Sequence, residues 1–323
     1  MLSFRQLMRY LRDHHHITIK SSQSYDLRNM GYYHGYKGYR FIRDPQNQIP
    51  LTAFDELLAI YNYDMQLKSL LYPKIMFIET ALKSYVIEAV LNDCHSENLN
   101  TVFTKSLTYY KNFLHGSKDY QTQFIKRMGL RGSINTTLKR DYNNKNKIVN
   151  HFFDNDREIP IWAIFESMTL GDFGGFFGCC NLNVRKYTSQ LLHLPVGLDP
   201  DGELTRYIIF TLKDLRNAIA HNNVVFDARF RSKNINRRLV SLLEQETGIH
   251  NIDFKYFDAY IILTVYILRK MKVTKTECKQ LVNGYISASQ SLRNLIPTQV
   301  WNQILGTSTR RNMATLLTFL TNS

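Results

Sequence analysis

The sequence predicts a mainly α-helical protein, on three observations. Apolar residues recur at helical spacing through 54–92, at Leu57, Leu58, Tyr61, Leu67, Leu70 and Leu71 and again at Ile75, Ile78, Leu82 and Ile87. A second helix is expected over 202–223, after a loop at 195–201 that holds Pro195, Gly197 and Pro200. A third fills 254–271, and Thr274 followed by Glu277 marks the start of another, as a capping side chain with an acid three residues on.

Taken in order, residues 1–16 place Leu2, Phe4, Leu7, Met8 and Leu11 among basic residues, the pattern of a short amphipathic helix ending in His14-His15-His16. Adjacent helical residues point about 100° apart, so three successive histidines do not converge on one metal, and a solvated helix end is expected. Residues 25–42 mix aromatics with glycines in Tyr32-Tyr33-His34-Gly35-Tyr36-Lys37-Gly38-Tyr39-Arg40-Phe41 and read as irregular or hairpin-like rather than helical. Their rings suit either a packed layer with wet hydroxyls or base stacking.

In the long helix, Pro73 is expected to kink or divide the chain. Asp64 and Glu79 interrupt its apolar pattern; each is a solvated residue on a polar stripe or a buried acid requiring a cation, and solvation is the default. Between 102 and 150 the character changes. Lys105, Lys111, Lys118, Lys126, Arg127, Arg131, Lys139, Arg140, Lys145 and Lys147 meet only Asp119 and Asp141, interleaved with Tyr109, Tyr110, Phe113, Tyr120, Phe124 and Tyr142. Cations with aromatics suit phosphate pairing and base stacking; a basic, solvated helical insertion is the alternative. Residues 158–178 read as one buried helix opened by Pro160 and closed by Gly171, Gly174 and Gly175. A further basic cluster, Arg229, Arg231, Lys233, Arg237 and Arg238, follows the 202–223 helix.

Composition bounds the function classes. With 323 residues, 44% of them apolar, the chain can bury a substantial core as one large or two ordinary domains. A net charge of +14 and a pI near 9.5 point to a polyanionic partner, a phosphate backbone or an anionic lipid surface. The most apolar window, 259–268, is far shorter than the roughly 20 residues that cross a bilayer. No basic amphipathic anchor speaks for a membrane surface. Cys94, Cys179, Cys180 and Cys278 have neither zinc-knuckle nor disulfide-scaffold spacing, and no metal or cofactor is expected. The chain reaches a charge at Arg5 and lacks the uninterrupted apolar stretch of a signal peptide, so a cytoplasmic location is expected.

One constellation carries chemistry: Arg216-Asn217-Ala218-Ile219-Ala220-His221. Arginine followed by histidine with four to six residues between is a weak pattern on its own, and Arg9 with His14 and Arg28 with His34 also match it. What distinguishes Arg216 and His221 is a helical setting, Asn217 four residues before His221 on the same face, and two small alanines between. Arg216 and His221 lie about 140° apart around the axis, so the arginine reaches sideways or meets a second copy of the motif. This favours a composite site at a helix–helix interface in a symmetric dimer. Cleaving RNA without metal needs a base for the 2′-hydroxyl proton, donors for the pentacoordinate phosphate and an acid for the leaving 5′-oxygen. Histidine serves as either base or acid, arginine's planar fork pairs phosphate oxygens, and asparagine orients its neighbours. From spacing alone, an arginine and a histidine capping a helix end remain the alternative.

The segment from Leu215 to Asn223 resembles the R-N-x-x-x-H motif of HEPN ribonucleases, and specifically the Abi (abortive infection, AbiD/AbiF-like) branch. Three further boxes stand in the family's order. Met30–Tyr36 is similar to its N-terminal Y-Y-R-L-S-G-Y box, Tyr61–Lys68 to its Y-x-F-D-x-x-L-R helix, and Ile159–Glu166 to its L-P-I-W-x-x-x-E segment. His34, Lys68 and Lys83 depart from it where arginine is frequent. The resemblance implies a HEPN-type helical bundle, metal-independent endoribonuclease activity and a bacterial role in defence against phage. It also implies a small non-coding RNA as a regulatory partner beside the RNA substrate.

The expected organisation is therefore an N-terminal Tyr/Gly-rich extension over 1–50 and a helical domain over 51–323 with its basic insertion at about 102–150. Arg216, Asn217 and His221 are the expected catalytic residues, with Glu79 as a fourth member able to orient the arginine. RNA is expected at Lys105, Lys111, Lys126, Arg127, Arg131, Lys139, Arg140, Lys145, Lys147, Arg229, Arg231, Arg237 and Arg238. A homodimer is expected and a membrane is not. The competing reading is a non-catalytic RNA-binding module that uses the same basic surface.

Overall fold

A computed structural model describes residues 3–31, 35–231 and 233–322 of the chain, so Leu2 and Tyr32-Tyr33-His34 lie outside the described residues. The described residues form sixteen α-helices and no strand. In order these are α1 Phe4–His15, α2 Ser24–Met30, α3 Lys37–Tyr39, α4 Phe54–Cys94, α5 Leu99–Lys105, α6 Lys118–Asn143, α7 Lys147–Phe153 and α8 Ile161–Ser167. They continue with α9 Leu170–Cys179, α10 Leu182–Leu191, α11 Leu204–Ala220, α12 Arg237–Thr247, α13 Asp258–Lys270, α14 Lys275–Arg293, α15 Thr298–Leu305 and α16 Thr309–Asn322. The protein is a mainly α-helical bundle, and no described helix is long and apolar enough to cross a membrane.

The helices group into two compact units. Unit 1 comprises Met1–Ile75, Asp214–Asn234 and Val240–Ser323; unit 2 comprises Met76–Lys213 and Ile235–Leu239. Three of the four divisions fall inside α4, α11 and α12, and the fourth falls between Asn234 and Ile235 ahead of α12.

Unit 1 is built on α13, whose residues from Asp258 to Leu268 are all buried, as an apolar run bounded by charges requires. It packs against α14 and α16. The first part of α4 lies on α14 with Leu57, Ile60, Tyr63, Leu67 and Leu71 buried, and Leu70 crosses over Gly284. Thr274 caps α14 as expected, its hydroxyl accepting from the Glu277 amide at 3.2 Å and donating to that residue's carboxylate at 2.8 Å. Helix α1 buries Leu7, Met8 and Leu11 and is capped by Ser3 with Gln6. His14 and His16 are exposed at its end, and the His15 ring packs on Tyr36 at 5.4 Å.

The Tyr/Gly-rich segment differs from expectation. Residues 24–30 and 37–39 are helical, and among the described residues its hairpin-like part is confined to the bridge between Phe41 and Gln48. Tyr36 and Tyr39 are fully buried, so the packed reading applies to these two rings. Their burial supplies tertiary contacts that outweigh the weak local preference of glycine and tyrosine against helix.

Nor does Pro73 divide α4. Pro73 and Ser69, the residue whose carbonyl loses its helical donor, are both exposed, so water satisfies that carbonyl and the helix continues.

Unit 2 packs α6 against α8 and α9, around a knot of rings in which Phe165 meets Phe173 and Phe176 edge-on. The expected single helix over 158–178 is two: α8, entered through Pro160, and α9, capped by Thr169. The glycines lie inside α9 instead of closing a helix. A Cβ on Gly174 would stand 2.9 Å from Phe210 Cζ and 3.1 Å from Ile209 Cγ2, so the bare backbone lets α9 approach α11 closely. Arg185, only 1% exposed, is held by the Glu203 carboxylate and the Gly178 carbonyl and lies 3.6 Å over the Tyr109 ring.

Candidate active site

Helix α11 ends in a hydrogen-bonded turn that fixes the candidate motif. Asn222 has φ +54°, its amide donates to the Ile219 carbonyl at 3.0 Å, and the Asn223 amide donates to Ala218 at 2.8 Å. This pair of bonds around a left-handed residue is a Schellman closure, in which asparagine is the usual substitute for glycine. His221 thus follows directly on the last helical residue, Ala220, its own amide still bonded to Asn217 at 3.0 Å. The spacing places Asn217 and His221 on one face, one turn apart.

Arg216 is half-buried and its Nη1 donates to Asn217 Oδ1 at 3.3 Å. With its carbonyl oxygen engaged, the Asn217 amide turns its NH2 donors the other way. Asn217 lines an open cleft of about 390 Å³ within unit 1, together with Asp214, Ala218, Asn223, Val224, Arg229 and Phe230. The His221 imidazole is exposed, and no hydrogen-bond partner is recorded for it among the described residues. Of the two motif alanines, Ala218 is buried and Ala220 exposed, so close approach by a partner helix would use Ala220 alone.

Residues outside the motif hold its end in place. Asp64, fully buried, accepts the amides of Val225 and Phe226 on Oδ1, each at 2.7 Å. Its Oδ2 accepts the Tyr39 hydroxyl and pairs with Lys68 Nζ, both at 2.7 Å. Lys68 Nζ also donates to Asn222 Oδ1 at 2.8 Å. Burial, with Asp64 beside it, pushes the Tyr39 hydroxyl far above its ordinary range, so it acts as a donor only. The solvated reading of Asp64 is therefore overturned: it is a buried acid with its cation, because four donors converge on it. Glu79 is buried as well, in unit 2, where Lys83 Nζ lies 3.4 Å away and also donates to the Met168 carbonyl.

The candidate RNA-binding residues divide by what their charges already touch. Lys105, Lys111, Lys126, Lys139, Lys145, Lys147 and Arg237 are exposed, and Arg140 is exposed beside Asp141 at 2.9 Å. Arg127 donates to the Phe103 carbonyl at 2.7 Å and, with Arg131, covers the Phe103 ring. Arg238 is forked onto Asp201 at 2.7 and 2.9 Å, which holds that carboxyl below its ordinary range. Arg229 is committed to Asp227 and to the carbonyls of Gly38 and Phe41, while Arg231 is half-buried. Several aromatics of 102–150 pack on one another, Tyr110 against Tyr120 and Phe124 at 5.3 and 5.0 Å.

Sequence reasoning did not assign Tyr39, Asp64, Lys68, Asn222 and Asp227 to this site. The available signal was an Asp–Lys pair four apart inside an apolar stripe, which is what a buried ion pair on one helix face looks like.

The fold and site define a class: a mainly α-helical protein that presents an Arg-Asn pair and an exposed histidine at one helix C-terminus beside an open cleft. The chain belongs to the Abi-like protein family, whose model matches residues 25–227. The match takes in Tyr39, Asp64, Lys68 and the whole motif and ends on Asp227. No curated protein and no solved structure matches the chain.

Proposed function

We propose that this protein is a HEPN-type, metal-independent endoribonuclease of bacterial abortive-infection defence. The observation that carries the reading is the exposed His221 at the C-terminus of α11, one turn beyond an Asn217 whose carbonyl is engaged by Arg216. Family membership supports the defence role. In this reading the 2′-hydroxyl oxygen attacks the adjacent phosphorus, its proton passing to a histidine base, while the P–O5′ bond breaks and the 5′-oxygen takes a proton from an acid. His221 supplies one of these roles and its copy in a homodimer the other. Arg216 stabilises the charge that builds on the phosphate oxygens, and Asn217 orients it. The products are a 2′,3′-cyclic phosphate and a free 5′-hydroxyl, DNA is spared for want of the nucleophile, and a bound small non-coding RNA regulates the enzyme.

The test is RNA cleavage in EDTA by the wild type and by His221→Ala, each checked for folding. A general acid or base is worth about 10²–10⁴-fold, so the variant should lose activity on that scale while keeping its affinity for RNA. A wild type that leaves RNA intact with and without a co-purified small RNA overturns the reading. The exposed lysines of unit 2 favour a second reading, RNA binding without cleavage, for which His221→Ala changes nothing measurable.

A further inference from the structure

We infer that Asp64 and Lys68 are positioning residues for His221, acting as an anchor from α4 onto the chain that leaves α11. The inference rests on the reading of His221 as the acid–base group. It goes beyond that reading by naming what holds the imidazole in register.

His221 is exposed, so its own side chain does not fix where it stands. Its position is set by the backbone turn that follows it, and Asp64 and Lys68 tie that turn and the chain beyond it. Lys68 Nζ holds the side chain of Asn222, the left-handed residue adjacent to His221 in sequence. Asp64 Oδ1 holds the backbone amides of Val225 and Phe226. Both ties converge on one carboxylate, since Asp64 Oδ2 pairs with the same Lys68 ammonium and accepts from Tyr39. Asp64 is completely buried and Lys68 is 7% exposed at its side chain, so neither group is placed to touch an RNA phosphate. Four donors on an ionised carboxylate saturate its acceptor sites, and a neutral amide in its place cannot accept from all of them. Gly38 leaves room for the same segment: a Cβ there would come within 3.1 Å of Val224 Cγ2. Displacing a catalytic group by about 1 Å can cost on the order of 10²-fold in rate, so an anchor of this kind is read in turnover rather than in substrate affinity.

The experiment uses the full-length protein and four variants. Asn222→Gly keeps the left-handed turn, which glycine adopts freely, and removes the acceptor for Lys68. Lys68→Met removes the ammonium at similar length, Lys68→Arg restores a cation, and Asp64→Asn keeps the shape and removes the charge. Two readouts are taken: hydrogen exchange of peptides covering 219–226, and kcat and KM for RNA cleavage. In Asn222→Gly and Lys68→Met, exchange over 219–226 should quicken at least about tenfold, and in Asn222→Gly α13 peptides should stay unchanged. Their kcat should fall about tenfold or more with KM within about twofold, and Lys68→Arg should recover most of the rate. Asp64→Asn should give the larger exchange effect. Unchanged exchange over 219–226 in folded Asn222→Gly and Lys68→Met overturns the anchor, whether or not the protein cleaves RNA. Faster exchange with an unaltered kcat overturns the positioning role while leaving the ribonuclease reading intact. A wild type that cleaves no RNA removes the ribonuclease reading and the positioning role together, and the exchange readout then still decides whether Asp64 and Lys68 anchor the segment.

Discussion

Arg229 and Asp227 stand two residues apart, and between them they fasten the N-terminal segment to the chain that follows the motif. The guanidinium meets the Asp227 carboxylate at 2.6 to 2.9 Å, donates to the carbonyls of Gly38 and Phe41, and lies 3.9 Å over the Phe41 ring. Asp227 is fully buried and also accepts the Arg43 amide. Removing the arginine strands a buried carboxylate, which costs about 3–5 kcal/mol. Arg229→Ala should therefore lower the urea midpoint of unfolding by that order, and Arg229→Lys should recover only part of it, because an ammonium lacks the planar fork. An Arg229→Ala protein with unchanged stability and weaker RNA binding would return Arg229 to the RNA-contacting set. Asp258 gives a residue-scale prediction in pH. Burial pushes its carboxyl up to about 6, against donors from Asn312, Thr309 and Ala259 that pull it down. The folded protein thus holds this proton more tightly than the unfolded chain. That advantage, about 3 kcal/mol, is complete below pH ~4 and lost as pH rises through about 6. Asp258→Asn cannot titrate, so its stability should vary less between pH 4 and 6 than that of the wild type, as measured by urea unfolding at several pH values.

Helices α6 and α9 show how glycines with the same sequence signature differ in role. On α9, Gly174 faces Ile209 and Phe210 at contact distance, so Gly174→Ala overpacks the interface and should cost about 1–3 kcal/mol. On α6, a Cβ at Gly129 would meet nothing within 4 Å, and Gly129→Ala should stabilise by about 0.5–1 kcal/mol through helix propensity alone. Thermal unfolding of the two variants should move in opposite directions; movement in the same direction would show that α9 yields at Gly174. The 158–178 pattern allowed a helix stop at these glycines, because a close helix approach leaves no trace in local sequence. Pro73 does not divide its helix for a related reason: its effect depends on whether the carbonyl it frees reaches water, and here Ser69 is exposed.

At the scale of the molecule, the charge of +14 is spread unevenly between work inside the protein and work at its surface. Arg185, Arg229 and Arg238 are consumed by Glu203, Asp227 and Asp201. The exposed lysines Lys105, Lys111, Lys126, Lys139, Lys145 and Lys147 lie in 105–147 of unit 2. Polyanion affinity in the proposed function therefore rests on those lysines. Changing Lys126, Lys139 and Lys145 together to Glu should weaken RNA binding and flatten the dependence of log K on log salt by ~0.7 for each phosphate that is no longer neutralised. Filter binding across a salt series measures both, and an unchanged slope would remove this face from the interface.

The sequence by itself determined the helical class, the family and the sign of the protein's own charge. Apolar periodicity is a local property, four motif boxes keep their order along the chain, and net charge is a sum. The positions of α1, α4, α13 and α14 follow from that alone, as does the grouping of Arg216, Asn217 and His221 at the end of one helix. Only the tertiary structure decided that Asp64 is buried, that Lys68 reaches Asn222, and that Arg229 is committed to Asp227 and the 38–41 backbone while Lys126 is exposed. Whether a charged side chain is exposed or consumed depends on hydrogen-bond partners brought to it from 25 to 191 residues away, as for Tyr39 with Asp64 and Gly38 with Arg229. Desolvation of a charge is a property of the packed chain, so no periodicity in the sequence carries it.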